Sequence, residues 1–383
     1  MQALVVIWLS YPYSLSTAMD SPTTNRACVM MKPMDIDIHD VGTPSLTEDS
    51  ESVLVKIEVT GICGSDVKNY VHGGVGGFFA TEPLILGHES AGTVIQVGTK
   101  ARGVSIGDRV AIEPIIYCRK CFNCKAGRMN ICQYYKQASS APTHGTLCQY
   151  YACDADLLVK IPSTLSWEEA GCIQPLAVAV QIGIRARFSM GQTVAVFGCG
   201  PLGCMTMAVA RACGVSKILA FGRSQNRVDF AKSLVADYAI PCPLKSEDQE
   251  YTPWADAFKR SALADAGIDP LWGVDVAVEL TGAESCIHAG VAFVRAGGIF
   301  VQAGFGNPIA SFPTMQMILK EIDVVGSIRY NTGCFQTAIN LMSSGKVDVN
   351  QFITSTFPLT QSKEALDAVR SGREMKVVIM NQL

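Results

Sequence analysis

Four cysteines, Cys118, Cys121, Cys124 and Cys132, stand as C-x2-C-x2-C-x7-C inside fifteen residues. The chain's fifteen cysteines are otherwise scattered without a paired framework, which points to a reducing compartment and to a metal as the reason for so dense a cluster. Zinc held by four thiolates completes its tetrahedron, so such a site braces a loop and has no open position for chemistry. Catalysis then needs a different metal site. Cys63 in Gly61-Ile62-Cys63-Gly64-Ser65-Asp66, with His88 and Glu89 in Gly87-His88-Glu89-Ser90, offers a thiolate, an imidazole and a carboxylate from two loops. That mixed set, with water in the fourth place, is the ligand chemistry of an open zinc site. Taken singly, a buried cysteine reads as core and a His-Glu pair as a solvated loop; the joint occurrence just before the quartet carries the reading.

A second constellation binds rather than reacts. Gly198-Cys199-Gly200-Pro201-Leu202-Gly203 is G-x-G-x-x-G between a predicted strand, 193–197, and a predicted helix, 201–213. The first glycine permits the tight turn, the second lets backbone approach a pyrophosphate, and the third lets helix and strand pack closely. At the tip of the next predicted strand, 217–221, an enzyme using NAD places a carboxylate for the ribose 2′-hydroxyl. Here the run is Gly222-Arg223-Ser224, followed by Arg227. Glycine leaves room, arginine offers a planar fork of donors to a 2′-phosphate, and serine adds a hydroxyl, so the expected preference is NADP(H), with NAD possible. One such charge-assisted contact is worth roughly 1.5–3 kcal/mol.

The elements that must position these residues fall into two textures. From about 25 to 176 the pattern is β-rich, with short strands expected over 52–59, 90–97 and 109–112. From 177 to 324 strands alternate with helices: 193–197, 201–213, 217–221, 226–235, then strands 275–280 and 298–303, the mark of a parallel sheet with crossover helices. Residues 325–383, with a helix over 361–370, are expected to return to the first domain. Residues 1–24 form an N-terminal extension outside the fold, disordered in expectation; its apolar run 3–9 is too short to span a membrane. At 383 residues, 49% apolar and 17% charged, the chain has ample core for two domains. A net charge of −3 with mixed signs leaves no footprint for nucleic acid, and no stretch is apolar enough for a membrane span.

These strings, with 104–110, Glu279-Leu280-Thr281-Gly282-Ala283-Glu284 and Arg329-Tyr330, make the chain resemble the zinc-containing medium-chain alcohol dehydrogenases, in their polyol branch of sorbitol, xylitol and L-arabinitol dehydrogenases. The resemblance runs from about Asn25 to Ile379. It implies an α/β fold: a GroES-like β-rich catalytic domain (25–176 and 325–383) plus a Rossmann doubly wound parallel-sheet domain (177–324), with the site between them. It makes Cys63, His88 and Glu89 ligands of a catalytic zinc, for two zinc ions per chain in all. It makes Arg329 and Tyr330 contacts to polyol hydroxyls; Ser65, by its position beside Cys63, is the expected first proton acceptor, and Ser327 an expected cofactor contact. It also implies a cytoplasmic homotetramer.

Two departures stand out. Gln174-Pro175-Leu176 stands where polyol dehydrogenases have a glutamate, so Gln174 is expected to hold the zinc-bound water rather than the metal. Lys68 and Asn69 stand where the family shows His-Tyr, which makes Lys68 a substitute in the proton path; His72 and His144 are nearby without a firm role. The expected reaction is reversible hydride transfer between a pentitol or hexitol, its ketose and NAD(P). The rivals are a zinc dehydrogenase of non-sugar alcohols or ketones in a specialised pathway, and a non-catalytic protein that binds NADP(H).

Overall fold

The computed structural model describes residues 22–47 and 49–383, and the chain divides into two compact units: the described residues up to Gln174 with Ile353–Leu383, and Pro175–Phe352. Residues 1–21 of the expected N-terminal extension lie outside the described residues.

The first unit is organised by strand Ser52–Gly61, whose alternating burial marks a strand with one face in the core. It pairs antiparallel with Glu89–Val97 along one edge. Its other edge is shared, the first half by Tyr150–Asp154 and the last three residues by Lys376–Met380. Arg109–Ile112, Leu158–Lys160 and Ile353–Pro358 complete a seven-stranded sheet. The registers matter more than the count: Gly61 stands opposite Glu89 on one side and opposite Val378 on the other. The chain then turns at Cys63, the N-cap of helix Gly64–His72.

The second unit holds six parallel strands in the order Tyr238–Pro241, Lys217–Gly222, Thr193–Phe197, Val274–Glu279, Val294–Gln302, Asp323–Gly326. Numbered along the chain this is 3-2-1-4-5-6, the doubly wound dinucleotide-binding order. Phe197, Phe221, Phe258 and Phe293 fill one face of the sheet, with ring centroids of 5.0 Å for Phe197–Phe221 and 4.9 Å for Phe221–Phe293.

One boundary differs from expectation. Residues 325–352, expected with the β-rich domain, belong to the second unit. The reason is physical: Asp323–Gly326 is the sixth strand of the parallel sheet, and helix Cys334–Ser343 packs back onto the same unit, where Cys334 Sγ meets Gln181 Oε1 at 3.5 Å. Helix Ile173–Ala186 also runs unbroken through the expected 176/177 boundary. Among the described residues, no helix is long and apolar enough to cross a membrane.

Candidate active site

The four-cysteine segment is a self-contained lobe. A short helix, Phe122–Lys125, and a single 3-10 turn, Met129–Ile131, fold its four sulfurs to within 4.8 Å of one another. Cys118 Sγ lies 4.0 Å from Cys124 Sγ, and Cys121 Sγ 3.9 Å from Cys132 Sγ. A tetrahedral zinc with Zn–S near ~2.3 Å requires edges of about 3.8 Å, so the lobe has the dimensions of a zinc site. Backbone N–H groups aim at the sulfurs, from Cys118 to Cys132 at 3.4 Å and from Cys121 to Cys118 at 3.3 Å. The N–H groups of Cys124 and Gln133 pull Cys121 down to about 6, while burial and then the neighbouring thiols push Cys124 up to about 12. Four sulfurs this close cannot all ionise without a cation to share.

The second cluster is assembled from distant parts of the first unit. The ligand atoms of Cys63, His88 and Glu89 lie within 4.8 Å of one another. Cys63 comes from the turn after Ser52–Gly61, and Glu89 opens the neighbouring strand. Asp66, wholly buried, ties both loops: Oδ2 accepts the Cys63 N–H at 3.0 Å, and Oδ1 meets His88 Nδ1 at 3.2 Å. Burial is the largest single influence on both groups and would raise Asp66 and lower His88. The charge and hydrogen bond that each gives the other outweigh it, so Asp66 ends below the usual carboxylate value and His88 well above the usual imidazole value. Nδ1 is thereby kept as a donor, which leaves Nε2 for a metal.

Sequence reasoning missed Lys376. Its ammonium is 2% exposed, pairs with the carboxylate of Glu89 and donates to the Ile62 carbonyl at 3.2 Å. Burial pulls its pKa down, but Glu89 first, and then Cys172, push it back above the ordinary lysine value. Gly61 is the floor of this cradle: a Cβ there would lie 2.4 Å from the Gly171 carbonyl, 2.5 Å from Glu89 Oε2 and 2.7 Å from Lys376 Nζ. No local motif could announce Lys376, because it arrives on a strand more than 280 residues downstream of Glu89.

The other expected residues are spread around this cluster. Ser65 is half-buried on the first turn of helix Gly64–His72, with Lys68 and His72 exposed on the same face at i+3 and i+7. His144 serves structure instead: its Nδ1 accepts the Ile85 N–H at 3.2 Å, and burial lowers its pKa. Gln174 is half-buried two residues beyond Cys172, a buried thiol pushed up to about 12 by burial and reached by the charges of Lys376 and Glu89.

In the second unit the glycine turn has the expected build. Gly198 has φ 122°, and a Cβ on Gly203 would lie 1.8 Å from the Gly198 carbonyl, so only glycine fits. Gly200 caps helix Pro201–Ala212 with Pro201 at its first position, and Leu202 follows with its carbonyl taken by Thr206 Oγ1 at 2.7 Å. Arg227 Nη1 lies 3.6 Å from where a Gly200 Cβ would stand, which puts a guanidinium over the turn. A Cβ on Gly222 would crowd Cys199 Sγ at 3.0 Å. Arg223 and Ser224 are exposed, and Ser224 is the N-cap of helix Gln225–Leu234 without using its hydroxyl as a cap. Ser327 follows the sixth strand, its N–H on the Gln302 carbonyl at 2.9 Å and its buried Oγ without a partner among the described residues. Arg329 adopts φ 54°, a left-handed backbone. Tyr330, expected against substrate, is wholly buried with its ring 4.7 Å from that of Phe335, which makes it a packing residue in this structure.

Residues 49–163 match the family model of the alcohol dehydrogenase GroES-like domain, and residues 201–344 that of the zinc-binding dehydrogenase. The chain is 39% identical over 355 residues to a probable D-xylulose reductase A of Aspergillus terreus, covering 93% of this chain and 98% of the relative. It is 40% identical over 327 residues to the D-xylulose reductase A of Aspergillus niger, covering 85% and 88%. Among solved structures it is similar to the L-idonate 5-dehydrogenase of Escherichia coli, with a TM-score of 0.82 and 26% identity over 95% of this chain and 100% of that one.

Proposed function

Because this chain belongs to the GroES-like, zinc-binding alcohol dehydrogenase family, we propose that it interconverts a polyol, a pentitol or hexitol, and its ketose by hydride transfer with NAD(P), NADP(H) being favoured. The observation that carries this is the meeting of Cys63, His88 and Glu89 within 4.8 Å beside a buried Asp66. When bound, zinc supplies the Lewis acidity that eases loss of the alcohol proton near neutral pH, and the nicotinamide takes the hydride.

The chain's own residues do the rest. Cys63, His88 and Glu89 hold the catalytic ion, and Cys118, Cys121, Cys124 and Cys132 hold the structural one. Asp66 fixes the ring of His88. Ser65 takes the alcohol proton and passes it toward Lys68, which stands exposed on the same helix face. Gln174, a neutral amide, orients the substrate side of the site, and Arg329 meets the outer hydroxyls. The Gly198–Gly203 turn cradles the pyrophosphate on the N-terminus of helix Pro201–Ala212. Arg223 and Ser224 face the 2′-phosphate, Arg227 reaches over the turn toward the pyrophosphate, and Ser327 faces the nicotinamide half. A cytoplasmic home is supported by none of the fifteen cysteines being in a disulfide. A homotetramer is supported by the exposed Met315, Ile318 and Leu319 of helix Thr314–Lys320, an apolar face that another copy can cover.

A second reading, a non-sugar alcohol or ketone as substrate, is favoured by Gln174 and by Lys68-Asn69 on the substrate side. One experiment tests both: pentitols, hexitols, matching ketoses and simple secondary alcohols assayed with both nicotinamide cofactors on metal-assayed protein. Saturable oxidation of a polyol with about two zinc ions per chain is expected. Turnover confined to simple alcohols would move the assignment to the second reading, and a single zinc with no turnover would leave only cofactor binding.

A further inference from the structure

The mixed metal cluster has a support that no ligand motif contains. Asn69 stands where the resembling family has an aromatic residue, and it is turned inward, 5% exposed, with Nδ2 on the Ser139 carbonyl at 2.7 Å. Ser139 is buried too and holds φ 65°, a left-handed backbone that a residue with a Cβ rarely adopts. That backbone lets its side chain face two partners. Its Oγ donates to Asp66 Oδ1 at 2.9 Å and accepts the N–H of Gly87 at 3.0 Å. Gly87 also donates to Asp66 Oδ1, at 3.2 Å, and the next residue is His88. One hydroxyl thus touches the carboxylate that orients His88 and the backbone that carries it.

We propose that Ser139, held in its left-handed conformation by Asn69, is a positioning residue of the Cys63–His88–Glu89 metal site. The inference rests on the functional reading above and deepens it. Asp66 Oδ1 accepts three hydrogen bonds, from Ser139, Gly87 and His88. Remove the Ser139 hydroxyl, and Oδ1 loses its shortest donor while the Gly87 N–H loses an acceptor, inside a region with no access for water to replace either. The Asp66 carboxylate is then held by one contact fewer, with Cys63, Gly87 and His88 remaining, and the constraint that aims the second nitrogen of His88 at the metal is weakened. Groups that orient ligands in this way set metal affinity by roughly 10- to 100-fold. Asn69 acts one step further out, since its amide holds the Ser139 peptide and not the hydroxyl. Its short carboxamide reaches the Ser139 carbonyl from within the first helix.

The test is zinc retention in the purified full chain, measured as zinc per chain against increasing dipicolinate, with melting temperature in parallel. Ser139→Ala should release its first zinc at about 10- to 100-fold less chelator than the unaltered protein, while the second zinc, in the four-cysteine lobe, leaves at an unchanged concentration. Ser139→Gly relieves the backbone strain but also lacks the hydroxyl, so it should release the first zinc as early as Ser139→Ala even where it melts higher. Asn69→Leu should shift the release in the same direction by less, and it carries the readout should Ser139→Ala fail to fold. Wild-type zinc retention in the serine variants, with or without a lower melting temperature, would overturn the proposal and leave the functional reading standing. A single zinc in the unaltered protein would overturn both together.

Discussion

In the second unit the glycine turn is six consecutive residues, Gly198 to Gly203, and the run proposed to set cofactor selectivity, Gly222 to Arg227, follows about twenty residues on. In the first unit the Cys63–His88–Glu89 cluster draws on Gly61, Asp66, Gly87, Ser139 and Lys376, from four separate stretches of chain. The turn works because each residue has a backbone property: a positive φ at Gly198, no Cβ at Gly203, a free donor at a helix N-terminus. The cluster works because side chains from distant strands neutralise and orient one another. A contiguous site should therefore respond to changes inside its own string, and an assembled one to changes far from its ligands.

The largest effect should come from a ligand itself. Cys63→Ser replaces a thiolate by a neutral hydroxyl, and loss of the metal's contribution should lower turnover by on the order of 10^4-fold. Zinc per chain should fall from two to one, with little change in melting temperature, since Cys63 is half-buried at the edge of the core. Retained turnover at one zinc per chain would break the comparison at its root.

Lys376→Met tests remoteness. Removing one partner of a buried ion pair costs about 3–5 kcal/mol because the other charge is left without a counterion. Here that charge is Glu89, so urea unfolding of chelator-stripped protein should show the full loss. The zinc-loaded protein should lose less, because the ion offers Glu89 a second cation. Equal losses in both forms would mean that Lys376 braces the sheet and has no bearing on the cluster.

Gly203→Ala asks the same of the turn. The added Cβ would lie 1.8 Å from the Gly198 carbonyl, so helix and turn must separate. Overpacking of this kind costs about 3 kcal/mol. NAD(P)H binding, followed by fluorescence, should fall sharply while zinc content stays at two.

The same contrast explains what could be read from the sequence. The turn, the four-cysteine lobe and the three mixed ligands were legible because each is a short string whose residue types imply their chemistry. Strand–helix alternation from 193 onward was legible because a parallel sheet must alternate. Asp66, Ser139 and Lys376 were not, since their roles depend on tertiary contacts: Asp66, on the first turn of a helix, meets His88 and Ser139 from separate loops, and the register that sets Gly61 opposite both Glu89 and Val378 brings Lys376 to the cluster. The placement of 325–352 failed for a related reason. Asp323–Gly326 is a four-residue edge strand with three residues facing outward or nearly so, and it lacks the apolar run that would mark it as part of the parallel sheet. Tyr330 is a substrate contact only by the resemblance, and in the structure its buried ring packs on Phe335.

The smallest effect should be at the tip of the second strand. Arg223 is exposed, so a contact from its guanidinium to a 2′-phosphate is partly screened, and the low end of the range for a charge-assisted hydrogen bond applies, about 1.5 kcal/mol. Arg223→Ala should then weaken NADP(H) by about 10-fold and leave NAD(H) nearly unchanged. Raising the salt concentration should narrow the difference between the two cofactors in the unaltered protein and have less influence in the variant, because only the 2′-phosphate contact is exposed to screening. Arg227 sharpens the point: its Nη1 already sits by Gly200, over the turn, so Arg227→Ala should weaken both cofactors alike. If Arg223→Ala leaves NADP(H) affinity intact while Arg227→Ala removes the preference, the discriminating charge lies on the helix and not at the strand tip, and the selectivity of this contiguous site is carried by one residue of its string rather than two.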